Sequence, residues 1–175
     1  QNLYTIIENK GQYPKGVISK INLPSGAMFV ESSKITYSFY NADQLKSIHD
    51  NRERNNLEAH AFTATFINAN ENTAYTLSEK NSYFENFYHK NVSIEKAHAY
   101  KKIIQNDIYP GIDLQIYTTQ DGVKYDLIIE NHISPKNIKL RYEGLEKMFI
   151  KNEHLILKTS VNFITEKKPS AYQII

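Results

Sequence analysis

With 175 residues, no cysteine and a net charge of +2, the chain is long enough to bury a core without covalent staples, and it excludes a disulfide framework or a thiolate metal site. Its basic residues include only three arginines, Arg52, Arg54 and Arg141, the side chain best suited to bidentate phosphate and guanine contacts. Nucleic acid is therefore not an expected partner, and no apolar run approaches the ~20 residues of a membrane span.

From the N-terminus, Val17 to Leu23 alternate apolar and polar residues up to a break at Pro24-Ser25-Gly26. Ala27 to Val30 form the next strand, and Ile35, Tyr37 and Phe39 alternate with polar neighbours in a third. Ala42 to His49 is the best helical candidate. The surrounding stretch, about residues 41–59, has few apolar groups and reads as an exposed, mobile loop. Phe62, Ala64 and Phe66 mark a strand, and Ser93 to Lys102 could hold a short helical turn before the next one.

Leu114 to Ile129 reads as a hairpin. A two-residue loop at Asp121-Gly122 sets Thr118 opposite Tyr125, Ile116 opposite Leu127 and Leu114 opposite Ile129. A one-residue slip would mix polar and apolar faces. The same register puts Asp113 opposite Glu130 and Asp126 opposite Tyr117, and sends Ile128 to the polar face. Ile138 to Tyr142, Leu155 to Lys158 and Val161 to Ile164 complete a series of short strands. The expected fold is an all-β antiparallel sandwich in one domain over residues 1–175, with at most one or two short helical turns.

No phosphate loop, zinc helix, nucleophile elbow or calcium-binding loop is present. His49, His60, His89, His98, His132 and His154 are scattered with no metal-ligand spacing. No catalytic residue, metal ligand or cofactor is expected. The binding candidates are Asp107, Asp113, Tyr117 and Asp126. Their carboxylates could hold a weak calcium ion, pose as a glycosidase acid pair near Asp107 and Asp113, or merely form Asx turns. The 13 tyrosines could serve as stacking faces for a glycan, although aromatics also suit strands on propensity alone.

Several phrases carry a likeness across nearly the whole chain. They are Glu8-Asn9-Lys10-Gly11-Gln12, Leu23-Pro24-Ser25-Gly26-Ala27-Met28-Phe29, Ser82-Tyr83-Phe84, Tyr109-Pro110-Gly111-Ile112-Asp113-Leu114, Lys124-Tyr125-Asp126-Leu127, Pro135 through Gly144, and Pro169-Ser170-Ala171-Tyr172-Gln173. In this order they resemble the uncharacterised N-terminal domain of large bacterial surface proteins that carry SBBP-type β-propeller repeats, PKD-like modules and C-terminal sorting or gliding-motility domains. The resemblance implies an exported, cell-surface or extracellular protein with its signal peptide removed near Gln1, and it supplies no catalytic or ligand residue. The resulting expectation is a non-enzymatic structural or interaction module, with a cell-surface protein or glycan as partner. A carbohydrate-binding module and a glycoside hydrolase-like enzyme are the alternatives. Ser170 to Ile175 end on β-prone residues and are expected to form an edge strand available for self-association.

Overall fold

The computed structural model describes residues 4–51, 56–89 and 92–173. Its strands are β1 (Thr5–Glu8), β2 (Ser19–Leu23), β3 (Gly26–Val30), β4 (Lys34–Tyr40), β5 (Ala59–Phe66), β6 (Tyr75–Ser78), β7 (Phe84–His89), β8 (Val92–Tyr100), β9 (Lys102–Tyr109), β10 (Ile112–Thr118), β11 (Val123–Ile129), β12 (Leu140–Glu143), β13 (Lys147–Lys151), β14 (His154–Lys158) and β15 (Phe163–Glu166). Helix α1 (Ala42–Asn51) joins β4 to β5, and a 3-10 turn at Pro135–Asn137 precedes β12. No helix among the described residues is long and apolar enough to cross a membrane.

One layer is a long sheet ordered β12-β5-β4-β3-β2-β1-β8-β7, antiparallel throughout. The facing layer is divided between a four-stranded sheet, β11-β10-β9-β6, and a three-stranded one, β13-β14-β15. Period-two alternation puts Ile6, Ile21, Met28, Val30 and Ile35 on the inner face of the long sheet, where they pack against Ile103, Leu114 and Ile116. A second cluster joins Phe39 and Phe62 of the long sheet to Leu157 of β14. The expected antiparallel β-sandwich is the observed fold.

The three-stranded sheet is tied down by His60 on β5. Its Nε2 lies 2.7 Å from the Gly144 carbonyl, and its Nδ1 accepts from the Ser160 N–H at 3.2 Å. A carbonyl only accepts and an amide only donates, so the ring is the Nε2-protonated tautomer. On the other flank Gln105, buried in β9, donates from Nε2 to the carbonyls of Glu31 and Ser32 and to Thr73 Oγ1.

Several expectations are corrected. The β10–β11 hairpin closes on a four-residue loop, 119–122, and not on Asp121-Gly122 alone. Ile116 pairs with Tyr125, Leu114 with Leu127 and Ile112 with Ile129, a shift of two residues that leaves every side chain on its expected face. The loop is set by Thr119, whose N–H and Oγ1 both donate to the Gly122 carbonyl at 2.8 and 3.1 Å while its Oγ1 accepts from the Asp121 N–H. Leu114 and Ile116 are buried and Leu127 packs at the edge of their cluster, but Ile129 and Ile128 remain exposed. Asp113 stands opposite Ile128 and not Glu130, and Asp126 opposite Gln115 and not Tyr117.

Ser93 to Lys102 contains no helical turn. It belongs to β8 and the start of β9, and a bulge with Lys96 at φ +52° breaks the alternation between Ile94 and Ala97 into a helix-like spacing of three. The helix expected at Ala42 to His49 is α1, which occupies much of the stretch at 41–59 expected as a mobile loop: Asn41 Oδ1 accepts from the Gln44 N–H at 3.2 Å, and the Asn41 N–H bonds to the Glu58 carbonyl. Residues 52–55 of that stretch lie outside the described ones. At the C-terminus, residues 170–173 join no strand, because Pro169 has no N–H to donate and the last ladder ends at Glu166. Residues 174–175 lie outside the described ones.

Gly26 opens β3, and a Cβ placed there would lie 2.1 Å from the backbone oxygen of Ser38. Backbone in a paired strand cannot step aside as a flexible side chain can. Gly26→Ala should therefore cost ~3 kcal/mol or more, the upper end of the range for overpacking. Urea denaturation measures it, and a loss below ~1 kcal/mol would contradict the close approach.

Candidate functional site

The sequence-selected residues fall into two pairs on the outward side of the four-stranded sheet. Asp107 sits at φ +50°, where the β9–β10 ladder shifts register. Its N–H donates to Asp113 Oδ1 at 2.8 Å, and its own Oδ1 accepts from the Gly111 N–H at 3.1 Å. Both carboxylates thus hold the Tyr109-Pro110-Gly111 turn, the Asx reading. Gly111 itself has φ +72° and abuts Ile133, so the turn requires glycine at that point. Four residues beyond Asp113 along β10, Tyr117 hydrogen-bonds Asp126 diagonally across the β11 ladder. Desolvation first, and that carboxylate second, push the phenol up. Among the described residues no three His, Asp or Glu side chains converge to hold a metal ion.

The densest group of shifted side chains lies elsewhere, where the two smaller sheets meet above the long one. Glu166, at the end of β15, turns inward opposite Leu155 in the same face-row as Leu157 and Ile164. Tyr142 of β12 donates from its hydroxyl to both Glu166 oxygens, at 2.8 Å each. Tyr37 of β4 and Tyr125 of β11 complete the group. Tyr37 stacks on Phe62 with ring centroids 4.6 Å apart and planes 5° apart, so the phenols rest on an aromatic slab continued by Phe39.

Burial dominates the electrostatics here. Desolvation raises the Glu166 carboxyl above the usual carboxylate range, and the Tyr142 bond only partly offsets it. Desolvation and then the Glu166 charge push the Tyr125 phenol up to about 12, and they hold Tyr142 and Tyr37 higher still. All three phenols stay protonated at physiological pH, and the Tyr142 bond to Glu166 clamps β12 of the long sheet to β15 of its cover. Sequence reasoning missed it because the last strand is expected over Val161 to Ile164 and is found at Phe163–Glu166. With the correct bounds, a glutamate two residues beyond Ile164 on the same face is the signal.

A shallow groove of about 460 Å³ has a polar rim. Gly16, Val17, Ser32, Glu71, Thr73 and a half-exposed Tyr75 line it. Gln105 braces its wall through Ser32 and Thr73. Apart from Tyr125, which at 39% exposure sits at the rim of the Glu166 group, the other exposed tyrosines, Tyr40, Tyr83, Tyr88 and Tyr172, are dispersed over different segments of the chain.

The clamp predicts a pH signature. Because the folded-state pKa of Glu166 is raised, its contribution to stability is fully present below the unfolded carboxyl value and is lost as pH rises through the folded one. Glu166→Gln should flatten that decline and leave the protein more stable than wild type at pH 7, with little difference at pH 4. Tyr142→Phe should cost about 1.5–3 kcal/mol at pH 7, as for a hydrogen bond to a charged group, and less at pH 4. Urea titrations at the two pH values test both, and a parallel loss at each pH for Tyr142→Phe would contradict the clamp.

No curated protein and no solved structure matches the chain. A family match covers residues 6–175, nearly the whole length. The chain belongs to the family described as a domain of unknown function, DUF7948.

Proposed function

We propose that the domain is a non-enzymatic structural or interaction module of an exported bacterial surface protein, acting ahead of SBBP-type repeats, PKD-like modules and a sorting domain. The observation that carries this reading is the fate of the polar side chains with the most chemical promise. Asp107 and Asp113 accept bonds from backbone amides of their own turn, and Glu166 accepts from Tyr142 between two sheets. Each is bonded where it stabilises the framework. The phrase Glu8 to Gln12 has the same character: Asn9 Oδ1 accepts from the N–H groups of Gly11 and Tyr13 while its amide donates to the Val17 carbonyl at 2.8 Å. Export rests on the resemblance to bacterial surface proteins.

Two measurements test this. The purified chain should show no turnover on glycoside, ester and peptide substrates, and a rate abolished by Asp113→Asn or Glu166→Gln would overturn the reading. Brief trypsin treatment of intact cells expressing the full-length protein should release peptides of this domain. Release only after lysis would contradict surface display.

Binding of carbohydrate is the second reading, carried by the groove at Tyr75, which joins one aromatic face to hydroxyl and carboxylate neighbours. Affinity electrophoresis in soluble polysaccharides separates the two. Retardation lost in Tyr75→Ala would assign the groove to a glycan, and unchanged mobility in every gel is the result expected of the first reading.

A further inference from the structure

We propose that β13 is a docking edge for an extended segment of another protein in which apolar residues alternate with acidic ones. This rests on the interaction-module reading and names its surface and partner chemistry.

β13 ends the three-stranded sheet and pairs only with β14 among the described strands. The two are joined by Asn152-Glu153, with φ +50° and +64°, the two-residue geometry of a type I′ turn. In such a hairpin the residues flanking the turn exchange both backbone bonds, and the pattern alternates along the strand. Lys151, Phe149 and Lys147 therefore direct their backbone groups to β14, while Met148 and Ile150 direct theirs outward to the free edge. The side chains of those same two residues are exposed, at 52% and 68%. They share the face of Leu157, which is buried, but among the described residues nothing covers them at the edge.

An edge of this kind accepts a strand, and charge selects which strand. Lys147 and Lys151 flank the apolar pair on the opposite face, and neither is ion-paired among the described residues. The nearby carboxylates are already taken: Glu146 bonds Lys158 and Glu153 bonds Lys168. A second copy of this chain is the wrong occupant. Full antiparallel pairing of β13 with itself centres on Phe149 and sets each Lys147 opposite a Lys151, with like charges directly opposed. An incoming strand with acidic residues opposite the lysines, and valine-like residues opposite Met148 and Ile150, turns both repulsions into attractions.

The probe is a fluorescent peptide containing Glu-Val-Thr-Val-Glu, with Lys-Val-Thr-Val-Lys as its counterpart, titrated at low salt against the whole chain. The acidic peptide should bind at least 10-fold more tightly, with amide NMR shifts centred on residues 147–151. Lys147→Glu combined with Lys151→Glu should reverse the preference. Ile150→Pro removes an N–H that β14 does not use, and should abolish binding while the amide spectrum stays dispersed. Equal affinity for both peptides, an unreversed preference in the double variant, or shifts centred elsewhere would overturn the proposal. Concentration-dependent dimerisation lost in Ile150→Pro would overturn it in favour of a second copy. Failure of either peptide result leaves the non-enzymatic, surface-module reading standing, since that reading fails on turnover and surface exposure.

Discussion

The structure depends on covering the apolar face of one long sheet. Eight strands about 4.8 Å apart twist by roughly 20–25° at each step, so the far ends of the sheet differ greatly in direction. Two short covers of four and three strands can each align with the part they cover, where one continuous cover would have to follow the whole twist. A divided cover leaves a junction, and a junction between sheets brings polar edges into the interior. Tyr37, Tyr125, Tyr142 and Glu166 occupy that junction, where the Tyr142 hydroxyl donates to a carboxylate that burial makes costly to ionise and burial holds all three phenols further from ionisation. The same arrangement explains why His60 is bonded at both ring nitrogens: it fastens the smaller cover at Gly144 and Ser160.

The phrases that carry the family likeness share a physical character. Asn9 organises the loop after β1, Gly26 lets β3 and β4 approach, and Asp107, Gly111 and Asp113 shape the turn before β10. Gly144, at φ +94°, lies where a Cβ would meet the Ala61 carbonyl at 3.1 Å. These are positions where the backbone path admits few residue types. A sequence pattern built from them reports how the chain turns and carries no information about a ligand.

Much of the sandwich is legible in period-two alternation. Ile35, Tyr37 and Phe39, or Phe62, Ala64 and Phe66, declare their strands because each buries one face. The hairpin at Leu114 shows what alternation cannot give: a shift of two residues keeps all faces correct, so only the hydrogen bonding of Thr119 selects the register. β8 defeats the period through its bulge at Lys96, and short strands such as β6 and β13 offer too few repeats to read. Of the four residues singled out, Asp107 with Asp113 and Tyr117 with Asp126 do meet pairwise, but for the clamp the sequence marks at most the inward face of Glu166 and not its partners. Its members come from β4, β11, β12 and β15, and only the tertiary fold brings them together.

The central claim is that the three-stranded sheet is a separately fastened cover and not a continuation of the main core. Native-state amide exchange followed by NMR tests it directly. Amides of β14 at Leu155 and Leu157 should open at a lower free energy than those of Ile103, Leu114 and Ile116 in the larger cover. His60→Ala should lower the first group by about 1–2 kcal/mol, as for two neutral hydrogen bonds, and leave the second unchanged. If both groups open at one common free energy and fall together in the variant, the two covers form a single cooperative unit and the account is wrong.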